Sequence, residues 1–164
     1  KNMSKDKIWK IYLSGEIHTN WREEIKTLCK HDELPVIINS PNTNHSNSDD
    51  CGVTILGNES NKFWHDRKGA AINSIRNSIL LKETDILIVK FGDQYKQWNA
   101  AFDVGLAAAQ GKAIITLHDY NLDHALKEID QASLATCRSV EKVAAILRYV
   151  IYGKLHEKDE KAAE

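Results

Sequence analysis

The chain reads as a three-layer α/β/α fold built on a parallel five-stranded sheet. Three observations predict it. Ile8–Leu13, Val36–Ile38, Ile86–Val89 and Ala113–Leu117 are short bounded apolar runs, as expected of strands buried on both faces. Helical patterns separate them, in a β-α-β-α-β-α-β-α-β-α order rather than in hairpins. The helix between the third and fourth runs is rich in alanine and closes at Gln110-Gly111-Lys112, a helix-stop signal that completes a βαβ unit.

Residues 1–7 are polar and read as a disordered tail. The first strand, Ile8–Leu13, leaves the sheet through Ser14-Gly15-Glu16. Thr19 or Asn20 caps the next helix, whose apolar side is Trp21, Ile25 and Leu28. Pro35 precedes the second strand. Ser40–Asn61 is a long polar stretch, and its apolar island Val53–Leu56 is expected to pack down. Phe63–Lys82 is the longest helical candidate, with Gly69 as a weak point. The loop Phe91–Lys96 then leads into the helix 97–110. Asn121–Ile129 reads as a short helix, Ser133–Thr136 as the last strand, and Val140–Tyr152 as an amphipathic helix stopped by Gly153. The result is a single domain over 8–152 and a charged, solvated tail over 153–164. Right-handed crossovers predict the flavodoxin-like strand order 2-1-3-4-5, which binds ligands at the carboxyl ends of its strands.

With 164 residues, 42% hydrophobic and 27% charged, the chain has the composition of an ordinary globular domain. A net charge of −1 leaves no electrostatic footprint for nucleic-acid polymers or anionic membranes. No apolar run approaches the roughly 20 residues of a membrane span. No signal-peptide pattern is visible. The three scattered cysteines, Cys29, Cys51 and Cys137, point to a reducing compartment, so a cytoplasmic location is expected. His45 and Cys51 match no zinc spacing, and no metal or organic cofactor is expected.

Asp103 is the leading site candidate. Trp98, Ala101, Phe102, Gly105, Ala108 and Ala109 line one stripe of its helix, and Asp103 falls off that stripe beside Asn99. Near a helix N-terminus and the ligand edge, an ionised carboxylate is suited to attack an electrophilic carbon or hold a hydroxyl. The plainer reading is a helix-stabilising surface acid. At the first strand's exit, Ser14, Gly15, Glu16 and His18 form a polar cluster, with Gly15 permitting close backbone approach to a ligand. The loop containing Asp93, Gln97, Trp98 and Asn99 mixes aromatic and amide groups, suited to stacking on a planar ring and bonding its edge, or simply to starting a helix with Trp98 in the core.

The segments YLSGEIHTNWREEI, SPNTNH, FWHDRKGAAINSIR, FGDQYKQWNAAFDVGLAAAQGK and LHDYNLDHALKEID resemble the YtoQ family over about residues 8–152. That family is grouped with the nucleoside 2-deoxyribosyltransferases, whose signature has the form Asp-x-Gly-x-x-x-Glu-Leu-Gly. Here the frame reads Gln97-Trp98-Asn99-Ala100-Ala101-Phe102-Asp103-Val104-Gly105. The resemblance implies a deoxyribosyltransferase-like fold and places Asp103 on the nucleophile, one methylene shorter. Gln97 stands for an acid used on the base, Asn99 for a glycine, Asn77 for a helix aspartate, and Tyr12 for the tyrosine that contacts the nucleophile.

The resemblance therefore implies an enzyme of the N-glycosidic bond that acts on a nucleoside or nucleotide through a covalent carboxylate–sugar intermediate, in a homo-oligomer. Asp103 attacks, Tyr12 orients it, and Ser14, Gly15, Asn77, Gln97, Trp98 and Asn99 line the pocket. Amides at Asn77 and Gln97 deliver no proton as an acid does, so the acid–base partner falls to Glu16, Asp93 or His18, or to a neighbouring subunit. Two alternatives stand beside this: a binding module without chemistry, and a hydrolase of nucleoside 5′-monophosphates with Ser14 and nearby amides on the phosphate.

Overall fold

Strand β1 (Trp9–Gly15) lies between β2 and β3 in a parallel sheet of order β2-β1-β3-β4-β5, with β2 at Val36–Asn39, β3 at Ile86–Lys90, β4 at Ala113–Leu117 and β5 at Ala135–Cys137. The computed structural model describes residues 7–161. The expected strand order is the observed one. The first six residues of the expected N-terminal tail lie outside the described residues.

Side chains alternate across β1, and each face has its own core. Ile11 and Leu13 join Ile86, Ile88, Ile115 and Leu117 beneath helices α1 (Trp21–His31) and α6 (Val140–Tyr152). Tyr12 joins Leu87, Val89 and Ile114 on the opposite face, under α3 (Lys62–Glu83) and α4 (Trp98–Ala109). Each fully buried aliphatic chain in these layers contributes about 1.5–3 kcal/mol.

The register of β1 is uneven. Its pairing with β2 stops at Tyr12 opposite Asn39, whereas its pairing with β3 runs on to Gly15 opposite Lys90. Gly15 has φ +119°, and a Cβ there would stand 1.9 Å from the Lys90 carbonyl oxygen. The glycine thus serves the close approach of two strands.

Three elements differ from the sequence expectation. The polar stretch after β2 contains a helix, α2 (His45–Leu56), capped by the Asn44 side chain on the Asn47 amide. It packs on α3, where a Cβ on Gly52 would lie 2.4 Å from the Gly69 nitrogen. So Gly69 is a contact point rather than a weak one. Residues 121–129 divide into a 3-10 turn, Tyr120–Leu122, and α5 (Lys127–Gln131). The charged tail forms α7 (Glu157–Lys161), tied down by Arg148, which bridges Asp32 and Asp159 at 2.7 Å each.

Replacing Gly52 with alanine is expected to lower stability by about 1–3 kcal/mol through overpacking at the α2–α3 crossing. Urea unfolding checks this; an unchanged midpoint would mean that the helices do not meet there.

Candidate functional site

Helix α4 buries Ala100, Val104 and Ala107 against the sheet. Asp103 lies three residues beyond Ala100 and four before Ala107, so it is the polar member of the buried stripe. The apolar stripe from which Asp103 is set apart points mostly outward: Trp98 is 73% exposed, Phe102 70%, and Gly105, Ala108 and Ala109 are exposed, while Ala101 is half-buried.

Across from Asp103 stands β1. Tyr12 and Ser14 share the face that looks toward α3 and α4, and both are fully buried. The Ser14 hydroxyl donates to Asp103 Oδ2 at 2.6 Å. Burial raises the Asp103 pKa, and the serine bond opposes that rise by favouring the charged form. Burial also raises the Tyr12 phenol, and the nearby Asp103 charge adds to the effect. The Tyr12 hydroxyl and Asn77 Oδ1 on α3 are both buried and have no hydrogen-bond partner among the described residues. Beside Asn77, Arg76 donates to the Ser40 carbonyl at 3.2 Å, and its charge acts on the Tyr12 phenol. Ser14 and Asp103 thus meet on the α3/α4 face toward the carboxyl end of β1, with Tyr12 on the same face and Asn77 and Arg76 on the α3 helix that covers it.

The remaining candidates go elsewhere. Glu16 has the parity of Ser14 and would face Asp103 if the strand continued, but the left-handed turn at Gly15 redirects it. Its carboxylate accepts from the His18 and Thr19 amides at 2.7 and 3.1 Å and from the Thr19 hydroxyl, with Lys90 Nζ 3.6 Å away. These bonds and the lysine hold its pKa down against the effect of burial. No hydrogen bond joins it to Asp103. His18 is exposed and packs on Tyr95, ring centroids 4.6 Å apart. Asp93 accepts from Asn121 at 2.9 Å. With Glu16, Lys90, His118 and Arg138, these two line a cavity of about 400 Å³ at the α1/α6 side of the same edge.

Gln97 closes its own loop, donating to the Tyr95 carbonyl at 2.6 Å and accepting from the Gly92 amide at 3.1 Å. Trp98, expected in the core or against a base, is exposed with Lys96 over its ring, and Asn99 is exposed beside it.

A metal would find its best donors in His118, Asp123 and Asp130, whose ligand atoms lie within 4.8 Å of one another. That cluster is closed on itself: His118 Nε2 lies 2.8 Å from Asp130, and Arg138 pairs with Asp123.

A family profile described as nucleoside 2-deoxyribosyltransferase YtoQ matches residues 12–151. The chain belongs to this family. A YtoQ protein of Bacillus subtilis (strain 168), described as uncharacterized, is 40% identical over 140 residues, 85% of this chain and 95% of the relative. Among solved structures, the 2-deoxyribosyltransferase of Bacillus psychrosaccharolyticus aligns with a TM-score of 0.55 at 16% identity, over 82% of this chain and 90% of its own. A conserved protein from Enterococcus faecalis V583 aligns with a TM-score of 0.56 at 14% identity, over 88% and 99% of the two chains. At these identities the likeness is one of fold, and that fold is deoxyribosyltransferase-like.

Two residues of this YtoQ-family site escaped the sequence reading. Arg76 sits midway along α3 among uncharged neighbours, Ser74, Ile75, Asn77 and Ser78, with no motif to mark it. Arg22 is buried at 7% exposure although arginine is usually a surface residue; its spacing with Ile25 and Cys29 on the inner stripe of α1 was the available signal.

Because burial raises the Asp103 pKa in the folded state, the folded protein binds the proton more tightly than the unfolded chain does. Stability from this group is present at low pH and is lost as pH rises through the folded pKa. Asp103→Asn is therefore expected to melt higher than the wild type at neutral pH. The advantage should narrow as pH falls toward the ordinary aspartate value of 3.8. Thermal melts across pH check this; an equal or lower melting temperature at neutral pH would contradict it.

Proposed function

We propose that this protein cleaves the N-glycosidic bond of a nucleoside, with Asp103 as nucleophile. One observation supports this above all: the half-buried Asp103 carboxylate has one hydrogen-bond donor, Ser14, and shares its face with buried Tyr12 and Asn77 groups that lack partners. Buried polar atoms are ordinarily satisfied, so a set left open at the ligand edge of a parallel sheet fits a hydroxyl-rich ligand.

In the proposed step an Asp103 oxygen attacks the anomeric carbon and forms an ester. The carbon–nitrogen bond breaks, and its electron pair leaves with the base, which takes up a proton from water. A second base or a water then attacks the same carbon and frees the carboxylate. Tyr12 donates its phenolic proton toward Asp103 or the sugar, and Asn77 bonds a sugar hydroxyl. Trp98 and Asn99 offer an exposed ring and amide for the base. Glu16, tied into its own loop, serves as scaffold in this reading.

Arg76 favours a second reading of the substrate. No carboxylate pairs with it among the described residues, and its charge acts on the Tyr12 phenol. A nucleoside 5′-monophosphate would give it a partner.

The exposed face of α4, with Trp98 and Phe102, and the exposed Ile75 and Ile79 of neighbouring α3 fit association with a second copy of the chain. Light scattering after gel filtration is expected to give a mass above one chain, reduced by Phe102→Glu; a monomeric wild type would overturn this.

Incubation with ribo- and deoxyribonucleosides and their 5′-monophosphates, with and without a second base, tests the chemistry by mass spectrometry. Base release or exchange is expected, falling by about 10³-fold or more in Asp103→Ala. The rate should climb with pH along a limb above the ordinary aspartate value of 3.8, since the carboxylate attacks and burial raises its pKa. Ligand bound and recovered unchanged would replace this reading with the binding module.

A further inference from the structure

In β1 the odd-numbered backbone groups face β2 and the even-numbered ones face β3. Trp9 N–H donates to the Pro35 carbonyl on one side, while Glu16 N–H donates to the Lys90 carbonyl on the other. Because β2 pairing ends at Tyr12, the carbonyls of Leu13 and Gly15 point where no strand runs. Arg22 fills that gap. Its Nε and Nη2 donate to Leu13 O at 3.3 Å each, Nη2 also to Gly15 O at 3.3 Å, and Nη1 to Glu16 O at 2.7 Å. The guanidinium also lies 4.7 Å from the Trp21 ring, whose indole N–H donates to Glu16 O at 2.8 Å.

A buried cation without a hydrogen-bonded carboxylate costs desolvation that a leucine or methionine at the same place would not. Arginine returns a rigid fork of donors that reaches three carbonyls at once, which a lysine ammonium does not match. Ser14 lies between two of the clamped residues. Its other side is fixed by pairing with Val89, and its hydroxyl meets Asp103.

We propose that Arg22 is a positioning residue. By standing in for the missing strand beside Leu13 and Gly15, it holds the Ser14 hydroxyl on Asp103 and so fixes the carboxylate for attack. The catalytic half of this statement rests on the N-glycosidic reading above; the positioning half does not.

The test compares Arg22→Lys, Arg22→Met, Ser14→Ala and the Arg22→Met/Ser14→Ala double variant. Four quantities are read: kcat and KM for base release, the Asp103 carboxyl titration by carbon NMR, and the melting temperature. Arg22→Lys is expected to fold and to lose about 10²-fold in kcat with KM little changed, as misplacement by about an ångström does. Loss of the serine donor raises the Asp103 titration midpoint. Arg22→Met should therefore raise it in the same direction as Ser14→Ala, and the double variant should shift no further. Arg22→Lys carries the same expectation, in smaller measure, should Arg22→Met fail to fold. A lowered melting temperature with kcat per folded molecule and the Asp103 titration unchanged would overturn the proposal, as would shifts that simply add. If the wild type releases no base from any substrate, the N-glycosidic reading falls, and the titration still decides whether Arg22 positions Ser14.

Discussion

Backbone hydrogen bonding at the end of β1 is the constraint on which the site depends. A strand inside a sheet has polar groups on both edges, and each must be met once water is excluded. Beyond Tyr12, β3 continues on one edge and β2 does not on the other. The sheet is thus uneven where a ligand crevice forms. A buried guanidinium covers the short side, and a glycine permits the long side to close on Lys90. Between these two supports the chain projects Ser14 toward α4 and then turns, so that Glu16 leaves the face that Ser14 occupies.

The electrostatics of this face follow from the same packing. Asp103 is carried inward by its place on the buried stripe of α4, and among the described residues one hydroxyl is its only hydrogen-bonding compensation. Glu16 shows the contrast. Two amides, a hydroxyl and a lysine surround it, and its charge is well satisfied. Asp103 on α4 and Glu16 just beyond β1 thus reach opposite states, one with a single hydroxyl donor among the described residues and one saturated.

Strand positions and sheet order were legible because fully buried parallel strands are bounded apolar runs and crossovers have a fixed hand. Helix α2 was not, since asparagine, serine and aspartate dominate its first half and resemble a loop. On α4 the periodicity identified which residues share a face but not which face the sheet covers, because alanine, valine and leucine occur all round it. The family frame placed Asp103, Tyr12 and Asn77 on elements that the structure brings to one face. Proximity in sequence grouped Glu16 and His18 with Ser14, and a single left-handed residue separated them. The stripe of α1 signalled that Arg22 is buried but not what it binds, and Gln97, which binds its own loop, left no periodic trace, so both roles became visible only in three dimensions.

The tight crossing of α2 and α3 also bears on how the chain reaches its fold. Ile11 and Ile86 must pair across 75 positions of sequence, a separation that makes parallel sheets slow to assemble. The helical hairpin lies wholly inside that interval, and its contacts are short in range. Formed early, on the microsecond scale of local structure, it turns much of a long flexible tether into a compact block. The search of β1 for β3 then proceeds over a far shorter effective loop, with a smaller entropy of closure. The glycines at the crossing therefore influence the speed of sheet assembly although neither belongs to a strand.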